Sequence, residues 1–326
     1  MKLASLKGEG RDGCLAVVSR DLTRARVVPE IARSLREAIE AWARVAPLLS
    51  KVAAQIEQDP LTASPLEWSQ VGACLPRAFQ FVDGSAYLAH VERVRRARGA
   101  EMPPSFRVDP LMYQAVSDRF LGPSEPIEIA DEDYGVDLEA EVGVIVDDVP
   151  MGITPDRALT SIRLITLIND VSLRNLIPSE LSKGFGFLQS KPLSALAGVA
   201  VTPDELGDDW RNGRVHRRLE SAINGVKLGD PDAGCDMQFG FGELIAHAAK
   251  TRPLGAGTLA GSGTVANQDV SRGSSCLAER RVLEVLSSGK AETPFLRSGD
   301  RIRIDMTDRM GRSIFGAIEQ TVVLRR

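Results

Sequence analysis

Two glutamates in the segment DLEAEVGVIV, Glu139 and Glu141, have a spacing that suits chemistry on a β-strand. Alternate residues of a strand share a face, so both carboxylates are expected to point the same way, about 6.6 Å apart along the strand. Apolar residues surround them, and an unpaired carboxylate in such surroundings is costly. The pattern indicates a hard cation with oxygen ligands, Mg²⁺ or Ca²⁺. Exposure of both side chains to solvent is the alternative.

A further acidic residue ends an apolar run. Asp170 closes LITLIND and is expected at the end of a buried strand, where it is well placed to join the same metal site. Arg174 follows four residues later and is suited to hold a substrate carboxylate through two parallel hydrogen bonds. Lys191, in the segment LQSKP, is a candidate oxyanion stabiliser. A turn aspartate and solvated basic side chains are the alternatives at these positions.

The segment QFVDGSAYLAHVERV holds Asp83, Tyr87 and His90. Asp83 precedes Gly84, a pair that favours a turn. The basic stretch VERVRRARGAEMPP after His90 predicts a mobile, charged loop, and loops often carry function. Its RVRRARG part is interpreted as a solvated face, because no aromatic residues are interleaved as in a nucleic-acid patch. A purely structural histidine is the alternative for His90.

The elements that must position these residues differ between two parts of the chain. A strand pair is expected around the turn of residues 8–13. Apolar residues then recur every three or four positions across residues 28–58, which predicts helix, and Pro47 is expected to divide it into two. A boundary near residues 71–75 gives a small N-terminal domain of residues 1–72 and a second domain of residues 73–326.

The second part contains many short apolar runs between glycines, prolines and aspartates, which indicates mostly β structure with a few helices. Asn224-Gly225 predicts a two-residue hairpin turn. The segment RIRIDM alternates like a half-buried strand. Helices are expected to start at Thr154 and to cover FGFGELIAHAAKT.

The composition restricts partners and location. The 326 residues carry a formal net charge of -4, which gives no general attraction to nucleic acid or an anionic membrane. No apolar run approaches about 18 residues, and the start of the chain lacks the apolar region of a secretory signal. Four scattered cysteines are expected to be free thiols in a reducing cytosol. The glycine-rich turn TLAGSGTVANQ lacks the GK[ST] ending of a phosphate loop.

The order of these motifs resembles the fumarylacetoacetate hydrolase superfamily over about residues 73–326. The matching run is an Asp–Tyr–His segment, E-x-E in a strand, ND-x-S-x-R, a GF…K segment and a G-S-G-T turn. The first 72 or so residues resemble the small N-terminal domain of bacterial fumarylacetoacetase-like members. The resemblance implies an α+β, mostly β fold: a mixed β-roll catalytic domain with a small α/β N-terminal domain.

The resemblance also implies roles for single residues. One Mg²⁺ or Ca²⁺ ion, with Mn²⁺ as an alternative, would be bound by Asp83, Glu139, Glu141 and Asp170. His90 matches the general base, Glu279 the acid that orients it, and Lys191 the group beside the developing oxyanion. The remaining matches are substrate contacts: Tyr87, Tyr113, Arg174 and Thr264.

The implied reaction is hydrolysis of a carbon–carbon bond in a small diketo acid by a cytoplasmic homodimer. Fumarylacetoacetate, cleaved to fumarate and acetoacetate in tyrosine degradation, is the expected substrate. The same scaffold suits an acylpyruvate hydrolase, an oxaloacetate decarboxylase, or a 2-oxo-dienoate hydratase or isomerase. A non-catalytic binding protein is the alternative of another class. Ile177 departs from the glutamine that is frequent in fumarylacetoacetases, and loss of a hydrogen-bonding side chain changes selectivity.

Overall fold

The computed structural model describes residues 1–97 and 101–325. Over these ranges, no helix is both long and apolar enough to cross a lipid bilayer. The strands are β1 (Lys2–Leu6), β2 (Cys14–Val18), β3 (Arg24–Val27), β4 (Ser64–Pro65), β5 (Phe81–Gly84), β6 (Met112–Ala115), β7 (Ile127–Ile129), β8 (Val136–Asp137), β9 (Ala140–Val146), β10 (Ile162–Asn169), β11 (Ser172–Leu173), β12 (Ala195–Leu196), β13 (Val199–Val201), β14 (Trp210–Arg211), β15 (Arg214–Val215), β16 (Glu220–Ile223), β17 (Val226–Gly229), β18 (Leu259–Gly261), β19 (Arg301–Asp305) and β20 (Ile318–Leu324). The α-helices are α1 (Leu35–Glu40), α2 (Trp42–Gln58), α3 (Leu88–Ala97), α4 (Pro155–Leu159), α5 (Ile177–Ser182), α6 (Phe241–Ala248) and α7 (Leu277–Ser288).

A central sheet of 11 strands organises the molecule. Its order is β4-β3-β2-β1-β13-β10-β9-β18-β5-β6, and β12 pairs with β10 outside this path. The predicted strand pair at the start of the chain is confirmed, because β1 and β2 pair antiparallel with Leu6 opposite Cys14. β1 also pairs with β13, so the sheet is continuous from the N-terminal region into the rest of the chain. The division at residue 72 stays a prediction.

A second sheet of five strands has the order β17-β16-β19-β20-β7. The predicted hairpin is confirmed: Ile223 lies opposite Val226, and Asn224 and Gly225 both have positive φ, 52° and 77°. Positive φ at both central residues is the type I′ geometry that Asn-Gly favours. The RIRIDM segment forms β19, as its alternation predicts.

The N-terminal helices break at a different place from the one predicted. The chain turns at Ala41, between α1 and α2, and Pro47 lies inside α2. Pro47 is only the sixth residue of that helix, so its missing N–H removes a single hydrogen bond close to the start. The prediction that Pro47 divides the helices was wrong for this reason.

The core lies on both faces of the central sheet. Along β10, Leu164 and Ile168 pack into one apolar cluster, whereas Ile165 and Leu167 pack into the other. Strands buried on both faces read as continuous apolar runs, which explains the sequence ITLI. Carboxylates at the ends of such strands are consequently buried as well. The mixed architecture confirms the α+β prediction, with strands at its centre.

The basic stretch after His90 begins as a helix. α3 covers Leu88–Ala97, so the loop predicted there was wrong for residues 91–97. Residues 98–100 of the same stretch lie outside the described residues. From residue 101 the chain continues through a short 3-10 turn, Pro104–Arg107, to β6.

Candidate active site

Strands of the central sheet bring three acidic side chains together. Asp83 lies in β5, Glu141 in β9, and Asp170 directly follows β10. β18 separates β5 from β9, and its Gly261 is in register with Asp83. A Cβ atom at Gly261 would lie 2.2 Å from Asp83 Oδ1 and 3.1 Å from Glu141 Oε2. The glycine therefore leaves the space in which the two carboxylates approach each other.

The three carboxylates, called here the acidic cluster, converge around an unpartnered glutamate. One oxygen from each of Asp83, Glu141 and Asp170 lies within 4.8 Å of the others, and all three residues are buried. Neither oxygen of Glu141 is hydrogen-bonded to any residue that the structure describes. Burial and the charge of Asp170 raise the pKa of Asp83 to about 8, and burial and Asp83 raise the pKa of Glu141 well above its usual range. Three hard oxygen donors in an apolar interior fit a divalent cation.

Asp170 holds the acidic cluster to its surroundings. Its Oδ2 lies 2.5 Å from Lys191 Nζ and accepts a hydrogen bond from Tyr113 Oη at 2.6 Å. Ser194 Oγ donates to the other oxygen, Oδ1, at 2.5 Å. Burial opposes the charge of Lys191, but Asp170 and Glu139 outweigh burial and raise the pKa of this lysine above its usual value. Lys191 is therefore a cation at the edge of the cluster.

Glu139, the fourth predicted ligand, lies beside the cluster and faces cations. Its Oε1 is 2.5 Å from Arg174 Nη2 and 3.4 Å from Lys191 Nζ, and it accepts a hydrogen bond from Ser172 Oγ at 3.1 Å. Burial alone would raise the pKa of Glu139, but Arg174 and Lys191 hold it below its usual range. The structure thus gathers three of the four predicted ligands and ties Glu139 into ion pairs. A ligand role for Glu139 stays a prediction.

Arg174 connects Glu139 to a carboxylate that the sequence analysis missed. Arg174 Nε donates to Asp137 Oδ2 at 2.8 Å. Asp137 is fully buried and also accepts the backbone N–H groups of Leu277 and Ala278, at 2.7 and 2.9 Å, at the start of α7. The signal was present in DLEAE, where acidic residues occupy three alternate positions, 137, 139 and 141. Arg174 therefore holds two carboxylates in place and keeps its Nη1 for other contacts.

His90 and Glu279, called here the dyad, face each other from two helices. His90 lies in α3, and Glu279 lies in the first turn of α7. His90 Nδ1 is 3.8 Å from Glu279 Oε2, and both atoms are buried without a hydrogen-bond partner among the described residues. This separation is longer than a hydrogen bond, so a small approach of the two helices is required to form one. An antiparallel bridge between Glu139 and Cys276 places the start of α7 against the acidic side of the site.

Arg93 contacts Glu279 of the dyad. Its position shows that the interpretation of RVRRARG as a solvated face was wrong for this arginine. Its Nη1 lies 2.6 Å from Glu279 Oε1, and its Nη2 donates to the carbonyl oxygens of Asn267 and Gln268. The side chain is only 11% exposed, so it is not part of a solvated face. Burial opposes ionisation of Glu279, but His90 and Arg93 hold the pKa of its carboxyl below the usual value. Spacing alone could not show that one arginine of a charged run turns inward.

Of the predicted substrate contacts, Tyr113 and the turn that holds Thr264 lie against the acidic cluster. Tyr113 donates to Asp170, as described above, and Tyr87 is buried with its hydroxyl donating to the carbonyl oxygen of Ala233 at 2.6 Å. Thr264 is buried in the turn after β18. In the same turn, the N–H of Gly263 donates to Asp83 Oδ1 at 3.2 Å. These positions bring the predicted contacts to one region, and their roles toward a substrate stay predictions.

The loop before Lys191 covers Tyr113. The ring of Phe187 packs edge-on against Tyr113, with 4.9 Å between the ring centroids. Glu180, in α5, accepts the backbone N–H groups of residues 188–190 and the hydroxyl of Ser190. These bonds fix the chain that leads into Lys191, and they hold the pKa of Glu180 down at about 2 although burial acts against this. The sequence offered no periodicity or motif that singles out Glu180, and the GF…K segment that contains Phe187 did not indicate its packing on Tyr113.

A buried carboxylate cluster at the centre of a mixed sheet, beside a histidine–glutamate dyad, is the arrangement of an enzyme that works with a divalent cation. Residues 80–323 match the family model described as fumarylacetoacetate (FAA) hydrolase C-terminal, and residues 1–77 match fumarylacetoacetase N-terminal domain 2. The chain therefore belongs to the fumarylacetoacetate hydrolase family, which confirms the resemblance in the sequence. Members of this family are hydrolases or related enzymes and generally depend on a divalent metal.

Solved structures show the same fold over the whole chain. Fumarylacetoacetate hydrolase from the psychrophilic Exiguobacterium antarcticum superposes with a TM-score of 0.70 at 19% identity, covering 100% of both chains. Maleylpyruvate hydrolase from Sphingobium sp. SYK-6 superposes with a TM-score of 0.66 at 14% identity, again covering 100% of both chains. At these identities the similarity concerns the fold.

Two curated relatives carry different activities. A 2,4-didehydro-3-deoxy-L-rhamnonate hydrolase from Sphingomonas sp. (strain SKA58) is 26% identical over 48% of this chain and 53% of its own length. An oxaloacetate tautomerase from Xenopus laevis is 25% identical over 66% of this chain and 58% of its own length. The chain thus spans a little over half the length of each of these relatives, and they differ in the reaction that their names state.

Proposed function

We propose that this protein is a divalent-metal-dependent hydrolase that cleaves a carbon–carbon bond in a β-diketo acid, with fumarylacetoacetate as the substrate. One observation carries the proposal. Both oxygens of Glu141 are buried and unpartnered between Asp83 and Asp170, in a molecule that also places a His90–Glu279 dyad next to Glu139. Membership of the family and the activity named for the curated 2,4-didehydro-3-deoxy-L-rhamnonate hydrolase support it.

The metal would be held by the acidic cluster. The fit rests on the unpartnered oxygens of Glu141 and on the gap at Gly261, which a side chain would fill. Oxygen-only donors favour Mg²⁺ or Ca²⁺, with Mn²⁺ as an alternative. When bound, such an ion supplies Lewis-acid polarisation of the keto oxygens of the substrate.

The side chains of the protein would move the protons and stabilise the charges. His90 takes a proton from a water molecule, while Glu279 orients the imidazole and stabilises its charged form. The resulting hydroxide adds to a carbonyl carbon, and the Lys191 ammonium stabilises the oxyanion that forms. When the adduct collapses, the carbon–carbon bond breaks and the departing carbon keeps the electron pair. His90 returns its proton to that carbon, which gives fumarate and acetoacetate.

Arg174 and the hydroxyl side chains would orient the substrate. Arg174 Nε donates to Asp137, whereas Nη2 is ion-paired with Glu139 without a hydrogen bond, so the guanidinium keeps N–H groups for a substrate carboxylate. We propose Tyr113 and Thr264 as further contacts, because Tyr113 is hydrogen-bonded to Asp170 and Thr264 follows Gly263, whose N–H is bound to Asp83. Tyr87 would contribute mainly through its ring, because its hydroxyl is bound to Ala233.

Tautomerisation of a 2-oxo acid is the second candidate function. The oxaloacetate tautomerase relative, similar over 66% of this chain, favours it. That reaction also uses a metal-polarised keto group and a proton-transferring side chain, but it needs no attacking water. Acylpyruvate hydrolysis, oxaloacetate decarboxylation and hydration or isomerisation of 2-oxo-dienoates are further reactions to include in any assay.

A substrate panel with defined metals tests the proposal. The purified protein is stripped with a chelator, reloaded with Mg²⁺, Ca²⁺ or Mn²⁺, and given fumarylacetoacetate, an acylpyruvate and oxaloacetate. Loss of diketone absorbance together with release of fumarate is the expected result. Turnover of oxaloacetate alone would assign tautomerase or decarboxylase activity. A folded, metal-loaded protein with no turnover on the panel would contradict an enzymatic role.

We also propose that the protein is a homodimer, as the family resemblance implies. Light scattering coupled to size-exclusion chromatography measures its mass directly. A dimer mass is about twice the 35.2 kDa of the chain. A monomer mass at concentrations where the enzyme turns over would contradict the proposal.

A further inference from the structure

Three side chains of the types that bind zinc meet between α3 and α7. They are the imidazole of His90, the thiol of Cys276 and the carboxylate of Glu279, and one ligand atom of each lies within 4.8 Å of the other two. Cys276 immediately precedes α7, and Glu279 is in its first turn. None of the three belongs to the acidic cluster.

Two polar atoms of these side chains have no partner within the described chain. His90 Nδ1 and Glu279 Oε2 are buried and make no hydrogen bond there, and Glu279 is completely buried. Buried polar atoms in native proteins almost always have a partner, so these two atoms either close on each other or share a ligand that lies between them. The two atoms are 3.8 Å apart. Tetrahedral zinc with bonds near 2.0–2.1 Å places its nitrogen and oxygen ligands about 3.3 Å apart, so a shift of roughly 0.5 Å brings His90 and Glu279 to that spacing.

We propose that His90, Cys276 and Glu279 form a second metal site, selective for Zn²⁺ and similar soft divalent cations, whose occupation inhibits the enzyme. Imidazole and thiolate select zinc-like ions, whereas Mg²⁺ and Ca²⁺ prefer the all-oxygen acidic cluster. Three protein ligands leave the fourth position of a tetrahedral site for a water molecule. A cation on His90 removes its free nitrogen from proton transfer while the acidic cluster keeps its own metal.

The charges around the site set the conditions for binding. Arg93 pairs with Glu279 through Oε1, which leaves Oε2 free but weakens attraction for a cation. A thiol binds a metal only after it loses its proton, so affinity for Zn²⁺ is expected to rise with pH. The backbone N–H of Glu279, 3.3 Å from the sulfur at the start of α7, favours the thiolate that forms.

Cobalt binding to a cysteine variant tests the site directly. Co²⁺ serves as the probe, because its bond to a thiolate gives a near-ultraviolet absorption band that oxygen ligands do not give. The variant is Cys276→Ser, which removes the sulfur but keeps a good cap for α7, since serine is among the preferred residues at that position. Cys235→Ser, at an exposed cysteine, is the matched control.

The expected result is a thiolate band in the wild type and in Cys235→Ser that is lost in Cys276→Ser. The Zn²⁺ dissociation constant from calorimetry, with the acidic cluster saturated with Mg²⁺, should rise more than the 10–100-fold typical of losing an outer-shell partner. Zn²⁺ should inhibit the Mg²⁺-loaded enzyme in a way that a chelator reverses. The band and the calorimetry do not use turnover, so they stand even if the proposed hydrolase activity fails.

Two outcomes would overturn the proposal. One is a Cys276→Ser variant with unchanged Zn²⁺ affinity, and the other is a wild type without a thiolate band. If Cys276→Ser does not fold, as judged by its melting curve, His90→Ala replaces it and must lower Zn²⁺ affinity without changing Mg²⁺ affinity. Unchanged Zn²⁺ affinity in that variant would equally refute the site.

Discussion

The acidic cluster and the His90–Glu279 dyad rest on different scaffolds. Asp83 and Glu141 lie on strands with a hydrogen-bonded neighbour on each side, so the sheet positions them before any ligand binds. The dyad depends on how α3 packs against α7 and on the ion pair between Arg93 and Glu279. The acidic cluster is held by the sheet but gathers three carboxylates, whereas the dyad is balanced by Arg93 but its two facing atoms, His90 Nδ1 and Glu279 Oε2, are 3.8 Å apart, which is too far for a hydrogen bond. The two halves therefore require different things. The acidic cluster requires the positive charge of a bound cation, whereas the dyad requires His90 and Glu279 to move closer together.

Asp137 is the contact between the two halves. It holds Arg174, which is paired with Glu139 beside the cluster, and it accepts the first N–H groups of α7, the helix that carries Glu279. A carboxylate at a helix N-terminus is favoured by the free N–H groups and by the helix dipole. Three classes of variant are therefore expected: variants that weaken metal binding by the acidic cluster, variants that remove proton transfer by the dyad, and one variant, at Asp137, that affects both.

Glu141→Gln should have the largest effect, because it removes the central charge of the cluster and leaves the dyad unchanged. Lewis-acid polarisation contributes several kcal/mol, so turnover should fall by about 10³-fold or more. Calorimetry should show loss of Mg²⁺ binding. Glu128→Gln, at an exposed glutamate of β7, is the control and should behave like the wild type. Normal Mg²⁺ affinity in Glu141→Gln would contradict the assignment of the cluster.

His90→Ala should damage only the dyad. General-base catalysis contributes about 10²–10⁴-fold, so turnover should fall by roughly 10² or more while Mg²⁺ affinity stays at the wild-type value. His247→Ala is the control, because His247 is a partly exposed histidine paired with Asp109. A nearly normal rate in His90→Ala would remove His90 from the role of base and would favour a reaction without an attacking water.

Asp137→Asn should weaken both halves at once, and by less than either variant above. Outer-shell partners typically contribute 10–100-fold to metal affinity or activity. We expect a fall of that size in turnover, a lower Mg²⁺ affinity and an altered pH profile of kcat, since both Arg174 and the start of α7 lose a charged partner. Asp156→Asn, an exposed aspartate in the first turn of α4, is the control.

The measurements separate a positioning role for Asp137 from general instability. A purely structural role would lower the melting temperature and the yield of folded enzyme, but the folded fraction would keep the wild-type pH profile and Mg²⁺ affinity. A change in only one of these two properties would mean that Asp137 serves one half of the site and does not join them.

Local signals in the sequence predicted local structure well. Asn224-Gly225 fixed a hairpin because glycine and asparagine tolerate positive φ, and RIRIDM fixed a strand because its alternation matches a half-buried face. Pairing between distant segments had no such signal. The antiparallel pairing of β1 with β13 joins the N-terminal region to the rest of the central sheet. This pairing depends on the packing of the whole chain.

The same distinction holds in the active site. Alternate spacing singled out Glu139 and Glu141, and the end of an apolar run singled out Asp170. The family resemblance supplied the ligand role of Asp83 and the roles of His90 and Glu279. Arg93 was missed because a charged run hides which of its members turns inward, and only the packing of α3 on α7 decides that. Asp137 carried a usable signal, the third alternate carboxylate of DLEAE, but Leu138 and Ala140 between the acidic positions gave no clue that it faces a helix end.

The smallest predicted effect is on how the melting temperature depends on pH. This effect should arise from the acidic cluster and not from the dyad. In the metal-free protein, burial and Asp170 raise the pKa of Asp83 from 3.8 to about 8. Between these values the folded state binds more protons than the unfolded chain, so the free energy of unfolding falls as pH rises. That contribution is fully present below about pH 4 and is lost as pH approaches 8. With a chelator present, the melting temperature should therefore drop by several degrees between pH 5 and 8.

Saturating Mg²⁺ should cancel this decline, because binding of the cation to the folded state stabilises the ionised carboxylates. Glu141→Gln should show a shallower decline without metal, since one of the repelling carboxyl groups is gone, whereas His90→Ala should follow the wild type. A metal-free wild type whose melting temperature stays level or rises over this range would show that the cluster does not hold its protons. In that case the negative charge of the acidic cluster would already be balanced in the folded protein. The cluster would then not require a cation.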